Sequence, residues 1–144
     1  MKKNITQPTK TAEVVRNWHL VDVAGKTLGR ESTEIAQMLI GKSKPYFAKN
    51  IDCGDYVVVV NASNVKLTGK KETDKVYTRY SGYPGGLRKT TVAQMRNLKP
   101  TEIVRHAVSG MLPKNKLRAS MLKRLYVFAG NEHTYQDQFK EVQA

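Results

Sequence analysis

The chain has one cysteine, no long apolar run and few acidic residues, and each shortage excludes something. With Cys53 alone there is no intramolecular disulfide, which suits a reducing compartment. The longest run of purely apolar side chains, Val57 to Val60, is far short of the roughly 20 residues that span a bilayer. Met1-Lys2-Lys3-Asn4-Ile5-Thr6-Gln7-Pro8 has basic residues but no apolar stretch behind them, so no secretory signal is expected there. Without secretion the sequons Asn4-Ile5-Thr6 and Asn61-Ala62-Ser63 carry no meaning, and the expected setting is cytoplasmic. Acids number 12 against 25 Lys and Arg, a net charge of +13. A compact chain with that much like charge repels itself, so an anionic partner is expected.

Catalytic and ligand motifs are also missing. Gly25-Lys26-Thr27 and Gly41-Lys42-Ser43 invite a phosphate-loop reading, but the glycine needed five positions earlier is Leu20 in one case and Ala36 in the other. His19, His106 and His133 share no ligand spacing, and Cys53 has no partner in a C-x-x-C. Asp52 and Asp55 flank Cys53-Gly54, would discourage a reactive thiolate, and are expected to shape a turn. No cofactor, metal or small-molecule substrate is expected, and an enzyme acting on nucleic acid is the alternative that these gaps argue against.

What is present is enough for one domain. The chain has 144 residues, 40% of them hydrophobic. Residues 1–15 read as a flexible basic tail and 16–144 as a single domain. Trp18 to Val23 alternates and predicts a strand, followed by a helix capped by Thr27 that runs through Ile40 and stops at Gly41. The β-branched run Tyr56 to Val60 predicts a strand covered on both faces. Strand, helix and buried strand make a βαβ unit with parallel strands and a right-handed crossover, placing the fold in the α/β class. Val65 to Thr68, Lys75 to Tyr80 and Leu125 to Phe128 predict further strands. Ile103, Val104, Ala107, Val108, Met111 and Leu112 form the buried rows of a helix ended by Pro113. Leu117, Met121 and Leu125 form the apolar stripe of another that starts near Asn115.

Positive charge is concentrated. Residues 66–89 carry Lys66, Lys70, Lys71, Lys75, Arg79, Arg88 and Lys89 against Glu72 and Asp74. Residues 96–124 carry Arg96, Lys99, Arg105, Lys114, Lys116, Arg118, Lys123 and Arg124 against Glu102 alone. Concentration of this kind is the footprint of nucleic-acid binding. Lys75, Tyr77 and Arg79 alternate onto one strand face, a pattern suited to phosphate contact beside a packed ring, although an ordinary solvated sheet face would look similar. Ser81-Gly82-Tyr83-Pro84-Gly85-Gly86 then offers backbone N–H groups that a phosphate can approach. Lys116, Ser120 and Lys123 are expected on the far side of the last helix, with Arg124 near its rim. A DNA-binding module is a further alternative, but no recognition helix is evident.

Six segments in order resemble the bacterial form of the large-subunit ribosomal protein thirteen family. They are Gly25 to Arg30, Gly54 to Ala62, Thr73 to Tyr77, Ser81 to Gly86, Gly110 to Lys114 and Ala129 to His133, covering roughly residues 16–135. The resemblance implies a three-layer α/β/α domain with a mostly parallel four-stranded sheet, binding to 23S rRNA, contacts with neighbouring large-subunit proteins, and early action in subunit assembly. It implies no reaction, no cofactor, no membrane and no homo-oligomer. The expected rRNA-binding residues are Lys42, Lys44, Lys66, Lys70, Lys71, Lys75, Tyr77, Arg79, Tyr80, Gly82, Tyr83, Gly85, Gly86, Arg88, Lys114, Lys116, Arg118, Lys123, Arg124 and His133. Four places depart from the family pattern. A family arginine falls on Ala119 beside Arg118, Tyr80 replaces a common histidine, Tyr135 replaces the second of two late histidines, and Glu31-Ser32 replaces apolar or small residues.

Overall fold

Valine dictates the centre of the structure, a computed structural model that describes residues 10–140. Strand β2 (Tyr56–Val60) carries Val57 to Val60, all at most 1% exposed. Successive strand residues point to opposite faces, so burial of all four means that both faces are covered. Each valine withdrawn from water contributes about 1.5–3 kcal/mol. β2 sits between β1 (Trp18–Asp22) and β5 (Leu125–Val127), both parallel to it, in the order β1-β2-β5. Trp18 pairs with Tyr56 and Asp22 with Val60, while Val57 pairs with Leu125.

Helix α1 (Leu28–Ile40) joins β1 to β2, so the expected parallel βαβ unit is present. Leu28, Ile35, Ala36 and Leu39 form its buried stripe. Thr27 occupies the N-cap position but makes no side-chain capping bond, and its backbone instead bridges Lys66. Gly41 ends the helix in the left-handed region at φ 76, with its N–H bonded to Gln37 and Met38 carbonyls. Glu31 and Ser32, the unusual pair, are both buried; Glu31 meets Lys26 Nζ at 3.3 Å, and the Ser32 hydroxyl has no partner.

The sheet is smaller than the sequence suggested. The parallel sheet has three strands, not four, and the second sheet is a separate antiparallel hairpin of β3 (Val76–Tyr80) and β4 (Leu87–Thr91). The strand expected over Val65 to Thr68 shrinks to the single Thr27–Lys66 bridge. Its room is taken by a 3-10 turn at Ala62–Asn64, entered through Asn61 at φ 59, and by Gly69 at φ 65. Asparagine tolerates that left-handed backbone, and here its side chain also donates to Asp22 at 2.9 Å.

A short α2 (Lys71–Asp74) precedes the hairpin, and α3 (Val92–Leu98) and α4 (Pro100–Met111) follow it. Thr91 and Gln94 make a reciprocal capping box that starts α3. Lys99 precedes Pro100 and lies at φ −150, outside the helical region, which separates α3 from α4. Ile103, Val104 and Val108 bury one face of α4, which packs on α1 and α3. Met111 is exposed, and the helix ends there because Leu112 is extended before Pro113. Next come α5 (Arg118–Lys123), which packs on α1 and β5, and α6 (Gln136–Lys140). No helix among the described residues is long and apolar enough to cross a membrane. Of the expected tail, residues 1–9 lie outside the described residues; Thr11–Glu13 forms a 3-10 turn.

Candidate nucleic-acid interface

Arginine and lysine divide into two populations once the chain folds. Arg16, Arg96, Arg118 and Arg124 turn inward and cap backbone carbonyls. The Arg124 side chain, 8% exposed, forks onto both carboxylate oxygens of Asp52 and reaches the carbonyls of Asp55 and Leu39, each at 3.3 Å. Arg16 binds the carbonyls of Gly54 and Asp52 at 2.7 and 3.1 Å. Arg96 binds both oxygens of Glu72 and the carbonyls of Ser63 and Val65, tying α2 and the 3-10 turn to α3. Arg118 donates to the Ser109 carbonyl and hydroxyl at the end of α4. A guanidinium suits this work because its planar fork satisfies several acceptors at once.

Five of the expected binding residues, Arg118 among them, thus make contacts within the fold. Arg124 is not on the rim of α5; it is committed to Asp52 inside the fold. The Lys44 side chain is 10% exposed and held by Asp55 and the Val15 carbonyl. Tyr77 does share a strand face with Arg79, but its ring stacks on His106 at 5.3 Å with its hydroxyl buried and unpaired, so burial raises its pKa. That ring faces α4. His133 is half-buried between Phe128 and Phe139, its Nδ1 shielded without a partner. It belongs to an aromatic cluster in which Trp18 stacks on Tyr56 at 4.4 Å, and Tyr135 lies 4.4 Å from Tyr126. Burial and the neighbouring Tyr135 raise the Tyr126 pKa. The Tyr135 departure therefore has a structural use.

Asp52 and Asp55 do more than turn the chain. Asp55 accepts from the Asn17 N–H and His19 Nε2, each at 3.0 Å, and pairs with Lys44. Burial pushes its carboxyl up, but the Lys44 and Asn17 hydrogen bonds, the His19 bond and the Lys44 charge outweigh it and hold it below the usual carboxylate range. Nothing in the spacing of Asp52 and Asp55 along the chain points to these distant cationic partners.

The second population stays outside. Lys42, Lys66, Lys70, Arg79, Arg88, Lys114, Lys116 and Lys123 are exposed, and among the described residues none forms an ion pair. Lys71 donates to Thr68 at 3.2 Å, and Lys75 lies 5.2 Å over the Tyr77 ring. Lys89, Lys99, Arg30 and Lys49 are likewise exposed and unpaired among the described residues, although they stand outside the expected set. Exposure without a carboxylate is the signal that separates them, and it is visible only after folding. Lys70, Lys71 and Lys75 line one open concavity with Asp74.

The hairpin presents another part of this surface. Its loop closes with a turn in which the Gly86 N–H donates to the Tyr83 carbonyl at 2.9 Å, Pro84 precedes Gly85, and Gly85 lies at φ 72. A Cβ on Gly86 would lie 2.0 Å from the Ser81 hydroxyl and 2.9 Å from the Tyr83 carbonyl oxygen, so a side chain there would force the turn to shift. Tyr83 is 75% exposed, Tyr80 64% and Leu87 53%. Lys114 and Lys116 lead into α5, and Lys123 closes it. The two basic regions hang on different elements: α2 and the hairpin pack toward α3, and α5 packs on α1 and β5.

The profile of the family described as ribosomal protein L13 matches residues 16–134. The large ribosomal subunit protein uL13 of Clostridioides difficile is 54% identical over 142 residues, covering 99% of this chain and 97% of that protein. The uL13 of Syntrophotalea carbinolica is 52% identical over 130 residues, with 90% and 92% covered. That of Geobacillus kaustophilus is 51% identical over 137 residues, with 95% and 94% covered.

Proposed function

The chain belongs to the ribosomal protein L13 family, whose members are structural proteins of the large ribosomal subunit, and on that premise we propose that it binds 23S rRNA and helps early subunit assembly. The contacts come from two surfaces. One is α2 with the β3–β4 hairpin, through Lys66, Lys70, Lys71, Lys75, Arg79 and Arg88, with Tyr80 and Tyr83 packing on sugars or bases and Gly82, Gly85 and Gly86 admitting the backbone. The other is Lys114, Lys116 and Lys123 around α5, with Lys42 as an outlying contact. Neighbouring large-subunit proteins complete its surroundings.

One observation carries the reading: the exposed cations of both surfaces lack carboxylate partners among the described residues, while Arg16, Arg96 and Arg124, which have such partners, turn inward. Unpaired exposed cations repel one another and add nothing to the fold, whereas a polyphosphate backbone relieves that repulsion and releases counterions. Co-sedimentation tests this. The protein is expected to travel with large subunits from Clostridioides difficile depleted of their own uL13, and to be stripped as salt rises. Failure to sediment at low salt, or equal capture by duplex DNA in competition, would contradict it.

A further inference from the structure

We propose that Arg79 and Arg88 form a two-armed clamp that holds one backbone phosphate between the strands of the hairpin. The inference rests on the rRNA reading and makes it specific. Arg79 and Arg88 are direct cross-strand partners in the β3–β4 register. Residues so placed project from the same face with Cβ atoms about 4.5–5.5 Å apart. Like charges carried on directly opposite residues destabilise a hairpin. Neither forms an ion pair among the described residues, and both side chains are exposed. An anionic group inserted between the two cations would remove that repulsion. A phosphodiester offers two non-bridging oxygens, one for each fork.

The strand register sets the positions of the pair, and its neighbours along that face differ in bulk. On the inner side of the same face, register places Tyr77 opposite Thr90, and the Tyr77 ring is fixed against His106 on α4. On the outer side the next pair is Ser81 and Gly86, where the Ser81 N–H donates to the Gly86 carbonyl at 3.3 Å. A serine and a glycine put little bulk beside the arginines. The opposite face, with Val76, Thr78, Tyr80, Leu87 and Lys89, is of different character and is not part of the clamp.

The test uses the full chain with transcribed 23S rRNA of Clostridioides difficile and measures log Kobs against log salt. Each neutralised phosphate contributes about −0.7 to −0.9 to the slope. Because one arm still covers the phosphate, Arg79→Gln or Arg88→Gln alone is expected to leave the slope nearly unchanged. The double variant makes it shallower by about 0.7–0.9, one phosphate in all. In the free protein either single change is expected to raise the melting temperature. Two results overturn the clamp: each single change removing that amount and the double removing twice as much, or a double variant with the wild-type slope. A Lys116→Ala/Lys123→Ala variant, which leaves the hairpin intact, separates the failures. If it lowers the slope while the arginine double does not, the clamp alone is wrong; if neither does, the rRNA reading fails with it.

Discussion

Asp55 shows at the scale of one residue how the sequence and the fold assign different work to the same side chain. Its neighbour Gly54 suggested a turn, yet the carboxylate gathers His19 from β1, the N–H of Asn17 just before it and Lys44 from the loop after α1. Burial alone would raise its pKa, but these partners prevail and lower it. A depressed carboxylate stabilises the fold above its unfolded value, about 3.9, and that contribution is lost as pH falls through the lower native value. Urea unfolding should therefore show stability dropping as the pH is lowered below about 4, with Asp55→Asn less stable at neutral pH and flatter over the acid limb. A parent and a variant with parallel acid limbs would contradict this. Arg124 teaches the same lesson from the cationic side. By type it resembled Lys123, and only the position of Asp52 distinguishes a buried anchor from a free charge.

At the scale of elements, periodicity served wherever burial was one-sided or complete. The β1–α1–β2 unit, α4 and β5 were legible because valine runs and helical rows record what they pack against. The fourth strand of the parallel sheet was not, because Val65 is buried without a ladder: the 3-10 turn and Gly69 leave only one bridge. β4 escaped notice because Leu87-Arg88-Lys89-Thr90-Thr91 has no buried face to set a period. The hairpin is attached to the body partly through Tyr77, whose ring sits on His106 while its hydroxyl is buried without a partner. Tyr77→Phe should be neutral or stabilising by up to about 1 kcal/mol, since an unsatisfied buried hydroxyl is unfavourable. Tyr77→Ala should lose about 2 kcal/mol by denaturant unfolding, as a partly buried ring is removed. If Tyr77→Phe weakened rRNA binding as much as Tyr77→Ala, the hydroxyl would have a role at the RNA that its burial denies.

For the whole molecule, composition announced an anionic partner, and the segment resemblance selected the family that the comparisons show. Individual contacts were less legible. A net charge of +13 counts Arg16, Arg96, Arg118 and Arg124 equally with Lys114 and Lys116, although the first four spend their hydrogen bonds inside the fold. What remains is a smaller, unpaired set on two surfaces. The central claim is that this set meets the phosphates of 23S rRNA. The direct test is the slope of log Kobs against log salt for the protein on 23S rRNA. A line steeper than about −4 is predicted, because several phosphates are neutralised together. A slope shallower than about −1 would contradict the account, because then no more than one phosphate is engaged.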